Sequence, residues 1–408
     1  MSDSYHLSAT RRPAAKLGRR ESLRWGLLVA TSTCLARRGR AEEKSASRPA
    51  PVRANAAAPP QSVFPGATWR EVDPDGGELA SMGWNAGRLG EAVDYAMRQA
   101  SSGIVVVHFG RIVAEKHQPL AEARPAYRAS VRGESDDGEV IEDVASVQKS
   151  VASILLGIAI DRGFVDLAEP VERYLSRGWS RARPDQERQI TVRHLVSMTS
   201  GLDDGLSFVA PAGTKWRYNT TAYARVMSVI ATAAKLDENA LSRRWLLDPL
   251  GMRDSRWHKR QRPAFRERQK ALGRSPKPLS NQLGFATTAR DLARFGLLVL
   301  HEGRWNDEPL VSAEYVRESL QSSQALNPAY GYLWWLNGKP HSRSPAGGRR
   351  RGSLIPAAPN DLVAARGAMG RKVFVVPSMD LVVTRTGDQP AAEFEQVLWK
   401  KLMAARIA

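Results

Sequence analysis

The chain has 408 residues, a single cysteine and a formal net charge of +18. One cysteine excludes an internal disulfide, and no segment is apolar for long enough to read as a membrane-spanning helix. The charge alone would suit nucleic acid. However, residues 1–60 hold +8 of it, and much of the rest lies between Arg253 and Lys277, a loop-like stretch with no aromatic interleaving and no helix-turn-helix or zinc spacing. It reads as a solvated basic face, and nucleic acid is not expected as a partner.

In chain order, Arg19-Arg20 with Leu23 and a modest apolar run to Ala36 resembles a twin-arginine export signal over residues 1–40. The protein is therefore expected to be exported, periplasmic or extracellular, with a basic tail as the plainer reading. Cys34 ends the apolar run where a lipid-anchor cysteine would sit, although Thr31-Ser32-Thr33 makes a poor lipobox. Residues 41–60 are rich in Ala, Pro, Ser and charge and read as a flexible linker. The remainder, 61–408, is expected to form one domain.

Ile104 to Glu115 is a β-branched run broken by a glycine, so a hairpin. Ser146 to Arg162 reads as a helix, with Val147, Val151, Ile154, Leu155 and Ile158 spaced for a core and Gly163 just past its end. That helix opens on Ser146-Val147-Gln148-Lys149. Residues three apart share a helical face, so the Lys149 amine can reach the Ser146 hydroxyl. A serine hydroxyl is a weak nucleophile that needs a base, and a lysine becomes one when desolvation and nearby positive charge bring its pKa to roughly 7–8. The plainer alternative is a helix-entry serine beside a solvated lysine. Lysine is scarce here beside arginine, and this one directly precedes an apolar helix.

A helical region is expected over about 164–290. Val373–Val376 and Leu381–Thr384 form a second hairpin, and Phe394 to Arg406 closes the chain as an amphipathic helix. Strands at both ends with helices between predict an α+β fold, an antiparallel sheet between helical layers (an α/β/α sandwich) with an inserted all-helical region.

Five ordered blocks carry a family resemblance: Asp143-Val-Ala-Ser-Val-Gln-Lys149, His194-Leu-Val-Ser-Met-Thr-Ser-Gly-Leu202, Pro249-Leu-Gly-Met252, Thr288-Ala-Arg-Asp-Leu-Ala-Arg-Phe-Gly296 and Tyr330-Gly-Tyr-Leu-Trp-Trp335. Together they resemble the serine hydrolases of the beta-lactamase/penicillin-binding-protein fold, within it the class C-like branch of esterases and 6-aminohexanoate-dimer hydrolases. The resemblance runs over roughly residues 61 to 400. It implies an acyl-enzyme on Ser146, Lys149 as base, and no metal or cofactor. The Gly-x-Ser-x-Gly elbow of the rival α/β-hydrolases is absent.

The resemblance also implies a tyrosine, assigned to Tyr218 in Trp216-Arg-Tyr-Asn-Thr220, as proton relay with its pKa lowered by the nearby ammonium. The family's Tyr-x-Asn departs here: the third position is Thr220, and Asn219 falls one residue early. Where the family carries Lys-Thr-Gly, this chain has Gly367-Ala368-Met369. A backbone amide near Met369 is expected to complete an oxyanion hole with the Ser146 amide. The lysine and hydroxyl that grip a beta-lactam carboxylate are missing, with Arg366 or Arg371 as substitutes.

The expected function is therefore cleavage of a small ester or amide substrate. Beta-lactamase or D-alanyl-D-alanine peptidase activity is the first alternative, and a non-catalytic envelope protein of the same fold the second. His194 reads as structural, His108 and His301 lack a third metal ligand, and Asp203 and Asp204 read as loop caps. Ser200 and Ser353 have no base at fixed spacing. Tyr330, Trp334 and Trp335 could wall an acyl pocket or pack the core, with one tryptophan of the pair at most facing a cleft.

Overall fold

The structure, a computed structural model, describes residues 61–407 apart from 76, 121–123, 261–269 and 271–281. The export-signal, linker and Cys34 readings lie outside the described residues, as does most of the basic stretch after Arg260.

The elements that matter for the site are, in chain order, α1 (Ala86–Arg98), β1 (Ser101–His108), β2 (Arg111–His117), β3 (Val131–Glu134), β4 (Val140–Asp143), α2 (Gln148–Asp161) and α3 (Thr220–Ala234). They are followed by β5 (Arg256–Lys259), β6 (Leu283–Thr287), α4 (Ala289–Leu300), β7 (Trp335–Leu336), β8 (Val363–Arg366), β9 (Lys372–Val376), β10 (Leu381–Gly387) and α5 (Phe394–Ala404).

The main sheet is antiparallel with strand order β2-β1-β10-β9-β8-β7. Both expected hairpins are present, and the N-terminal one lies beside the C-terminal one, with Val106 opposite Val383. Every residue of β1, β9 and β10 is buried, so both faces are covered. On one face α1 and α5 pack together through Tyr95 and Phe394, and Trp399 of α5 meets Phe374 of β9 edge-on. On the other, α4 lies so close that a Cβ on Gly296 would come within 2.4 Å of Val382. These layers form the expected helix–sheet–helix sandwich.

Two expectations change. Residues 164–255 carry helices, but the expected all-helical stretch ends in strands β5 and β6, which join β3 and β4 in a second sheet of order β3-β4-β6-β5. Aromatic Trp257 and Phe285, adjacent across β5 and β6, pack at 4.9 Å and hold that pair. The second change concerns α2, which is buried on all sides and not along one stripe. Its polar side chains are satisfied internally: Ser150 donates to the Leu333 carbonyl and Ser153 to that of Tyr332.

The two sheets are joined through Glu142, a fully buried carboxylate at the end of β4. It pairs with buried Arg371 and accepts from the Gly387 amide at 2.9 Å and the Ser102 hydroxyl at 3.0 Å. Removing one partner strands the other charge in the interior. Glu142→Ala is expected to lower unfolding free energy by about 3–5 kcal/mol in denaturant titration; a loss under about 1 kcal/mol would contradict this role.

Candidate active site

From Ile141 to Ala159, Ser146 is the one residue that is not buried. Its presentation is built locally. The Val144 amide donates to Phe285 of β6 at 3.0 Å, and the Asp143 carboxylate accepts from the Ala145 amide at 2.9 Å. Ala145 is thereby held at φ 52°, a left-handed conformation that costs a non-glycine residue on the order of 1 kcal/mol. Ser146 consequently lies in a 3-10 turn, Ala145–Val147, that leads into α2, not in the helix proper as the sequence suggests.

Lys149, in the first turn of α2, donates to the Ser146 hydroxyl oxygen at 2.9 Å. Among the described residues no carboxylate pairs with it. Its neighbours are the rings of Tyr218 at 5.0 Å and Tyr223 at 4.6 Å. Burial disfavours the ammonium, and the Arg260 charge disfavours it further, so the amine is brought down to about 7. A neutral amine at this distance is arranged to take the serine proton.

Tyr218 sits half-buried just before α3, and here the expected direction of its pKa is reversed. Burial pushes the phenol up to about 12, outweighing the hydrogen bond with Ser146 and the charge of Arg366. With Lys149 brought down to about 7, its ammonium field on the phenol is weakened. Tyr218 is thus a protonated hydroxyl at neutral pH, fit to pass a proton on but not to act as the resting base. The Tyr-x-Asn departure is also resolved. Buried Asn219 is the N-cap of α3: its side chain accepts from the Ala222 amide and donates to the carbonyls of Leu202 and Asp203. Thr220, first residue of α3, occupies the third position, half-buried.

Trp335 stacks on Tyr218 at 5.9 Å, with Trp216 and Tyr330 around it. Trp334 points the other way, onto Phe295 of α4. One tryptophan therefore packs toward the site and the other toward the core, although Trp334 itself lies just outside β7.

The opposing wall is the end of β8. Gly367 follows it, and a Cβ there would stand 2.4 Å from the Val144 carbonyl, so the strand end presses directly on the segment carrying Ser146. The turn Ala368–Gly370 follows, with Met369 at φ 62°. Its carbonyls are gripped from within: Arg371 donates to Ala368 at 3.4 Å and Arg385 to Met369 at 2.6 Å. Since C=O and N–H of a trans peptide point oppositely, the Met369 amide is directed away from Arg371. Arg371 itself is fully buried on Glu142 and Ser130, which removes it as a substrate anchor. Arg366 is half-buried over Trp335 at 5.7 Å but is tied to Glu395 by two hydrogen bonds of 2.7 and 2.8 Å.

The remaining candidates lie elsewhere. His194 accepts from the Thr191 amide at its helix start, Asp203 caps its loop through the amides of Gly205 and Ser207, and Ser200 is buried. His108 accepts from Trp84 in the core, and His301 meets Ser62. Among the described residues no group of three His, Cys, Asp or Glu side chains is placed to hold a metal ion. Sequence reasoning gave no role to Asp143, Tyr223 or Arg260. Asp143 was visible beside the Ser146 block, whereas Arg260 carried no signal that set it apart from its basic surroundings.

The beta-lactamase family model matches residues 89–403. The chain belongs to the beta-lactamase family. Across 320 residues it is 22% identical to an uncharacterized protein of Alkalihalophilus pseudofirmus, covering 74% of this chain and 86% of that one. Similar solved structures include a putative beta-lactamase from Bacteroides dorei, with TM-score 0.58, 18% identity, and 79% of this chain and 99% of that chain covered. A putative 6-aminohexanoate-dimer hydrolase from Bacillus anthracis gives TM-score 0.56, 16% identity, and coverage of 84% and 87%. The family match and these structural likenesses together give a family member with a beta-lactamase/transpeptidase-like fold.

In this family member the contact between Gly367 and the Ser146 segment leaves no room for a methyl group. Gly367→Ala is expected to force β8 from the turn, lowering melting temperature and reducing the reactivity of Ser146 toward a fluorophosphonate. Labelling and melting unchanged from wild type would show that the two segments are not held in contact.

Proposed function

We propose that this protein is a serine hydrolase that cleaves an uncharged ester or amide through an acyl-enzyme on Ser146. The observation that carries the reading is the Ser146 hydroxyl, the one partly exposed group of its segment, 2.9 Å from the buried Lys149 amine, whose charged form burial and Arg260 disfavour. Neutral Lys149 takes the Ser146 proton as the oxygen bonds to the substrate carbonyl carbon. The resulting oxyanion is received by the Ser146 and Met369 amides, on the two segments that Gly367 brings together. Collapse breaks the C–O or C–N bond, and the Lys149 proton passes through the Tyr218 hydroxyl to the leaving alkoxide or amine. Water then loses a proton to the same relay, attacks the acyl carbon and releases the acid, restoring the Ser146 hydroxyl.

The substrate class rests on what surrounds this machinery. The ring edges of Trp216 and Trp335, backed by fully buried Tyr330, give the site an apolar wall for an acyl group, with Thr220, Gly367 and Ala368 along the approach to the carbonyl. The Lys-Thr-Gly lysine is absent, and the half-buried arginine at that strand end already has Glu395 as its partner. A beta-lactam or peptidoglycan carboxylate has little to bind, which favours uncharged substrates of the kind esterases take.

The test is hydrolysis of a short-chain p-nitrophenyl ester, with nitrocefin as control. Ser146→Ala is expected to lower kcat by at least about 10³-fold, and Lys149→Ala by about 10²–10⁴-fold, in folded protein. Turnover surviving Ser146→Ala would refute the assignment. Absence of both turnover and fluorophosphonate labelling would favour a non-catalytic envelope protein.

The pH dependence follows from the base. Protonated Lys149 cannot accept the serine proton, so kcat/KM is expected to rise about tenfold per unit below pH 7 and level off above it. A rate flat from pH 5 to 9 would contradict Lys149 as base.

A further inference from the structure

Behind the proposed nucleophile and base lies a second pair, buried Asp143 and largely buried Arg260. Arg260, just past β5, clasps Asp143 with two hydrogen bonds, from Nε at 2.6 Å and Nη2 at 2.7 Å. Each member then reaches one half of the Ser-x-x-Lys turn. Asp143 also accepts from the Ala145 amide at 2.9 Å, which fixes the left-handed residue preceding Ser146. Arg260 Nη2 also donates to the Gln148 side-chain oxygen at 2.8 Å, and Gln148 precedes Lys149. The Gln148 amide nitrogen in turn donates to the Leu283 carbonyl at 3.0 Å, which receives Arg260 Nη1 as well at 3.1 Å. The close fit is visible at Gly284, where a Cβ would stand 2.6 Å from the Asp143 carboxylate and 2.5 Å from His258.

We propose that Arg260, held by Asp143, is a positioning residue for this site: it fixes Ser146 through Asp143 and Lys149 through Gln148, and sets a permanent positive charge behind the amine. The inference rests on the serine-hydrolase reading of Ser146 and Lys149. A guanidinium suits the task because it stays charged when buried and its planar fork serves several acceptors at once.

The groups facing Lys149 support an electrostatic role. Its own turn contributes Ser146, and the Tyr218 and Tyr223 rings come from the segment that leads into and forms α3. Burial raises the phenols of both tyrosines, so neither brings a negative charge at neutral pH. Asp143, at the end of β4, is neutralised by Arg260 and lies 3.2 Å from His258. Arg366, at the end of β8, acts on Tyr218 and is paired with Glu395. Among the described residues, Arg260 is the charge that adds to burial in lowering the Lys149 pKa.

The experiment is the rate of Ser146 modification by a fluorophosphonate as a function of pH, on the full chain, with melting temperatures recorded and Ser146→Ala as blank. Arg260→Gln is expected to move the acid limb upward by about one pH unit, and Arg260→Lys to move it less. Asp143→Asn leaves the guanidinium unneutralised and is expected to move the limb downward. Opposite shifts are what a purely structural clamp would not produce. If Arg260→Gln does not fold, the direction of the Asp143→Asn shift decides. An acid limb that stays at the wild-type pH in the folded variants overturns the proposal. A wild-type protein not modified at Ser146 would instead overturn the reading of the site on which it rests.

Discussion

A buried lysine with no carboxylate partner among the described residues is the constraint from which this structure is best understood. An ammonium in such a place loses several kcal/mol of hydration, and an acidic neighbour would restore the charge by pairing with it. Here the neighbours are aromatic rings and a guanidinium, so the amine is left near neutrality beside the Ser146 hydroxyl. That arrangement demands a helix enclosed on every side, which α2 is, and a turn that returns one residue to the surface. The left-handed backbone at Ala145, tied by the Asp143 carboxylate, makes that turn.

The rest of the fold serves the same point from the other side. The end of β8 and the turn after it have to meet the Ser146 segment, and Gly367 makes the contact possible because it carries no Cβ. Glu142 and Arg371 secure the approach by joining the second sheet to the first, while Arg371 and Arg385 fix the carbonyls of Ala368 and Met369. Buried polar groups on this scale are tolerable because they satisfy one another. They also hold the wall in place, as the oxyanion site proposed above would require if its amides are to face charge that develops only during reaction.

Much of this was legible in the sequence, for identifiable reasons. The hairpins were plain because Ile104–Val107 and Val373–Val376 are β-branched runs bounded by turn residues. The Ser146–Lys149 pair was plain because a three-residue step brings two side chains together in a 3-10 turn as well as in the helix it leads into. Strands β5 and β6 were missed: they are short, and Arg256-Trp-His-Lys259 has no clean alternation to separate it from the basic stretch that follows. The pKa direction of Tyr218 was misjudged since burial, which decides it, is a property of the assembled fold. Arg371 read as a possible substrate anchor because its partner Glu142 is 229 residues away in the chain. Asn219 and Thr220 could be told apart only once the start of α3 fixed which one caps it.

The most direct test of the account is trapping of the covalent intermediate. The protein would be mixed briefly with p-nitrophenyl acetate, quenched in acid and mapped by peptide mass spectrometry. A single acetyl group on Ser146, absent from the Lys149→Ala protein, is the result the account predicts. Ester hydrolysis with Ser146 unmodified, or an acetyl group on another residue through which turnover proceeds, would contradict it.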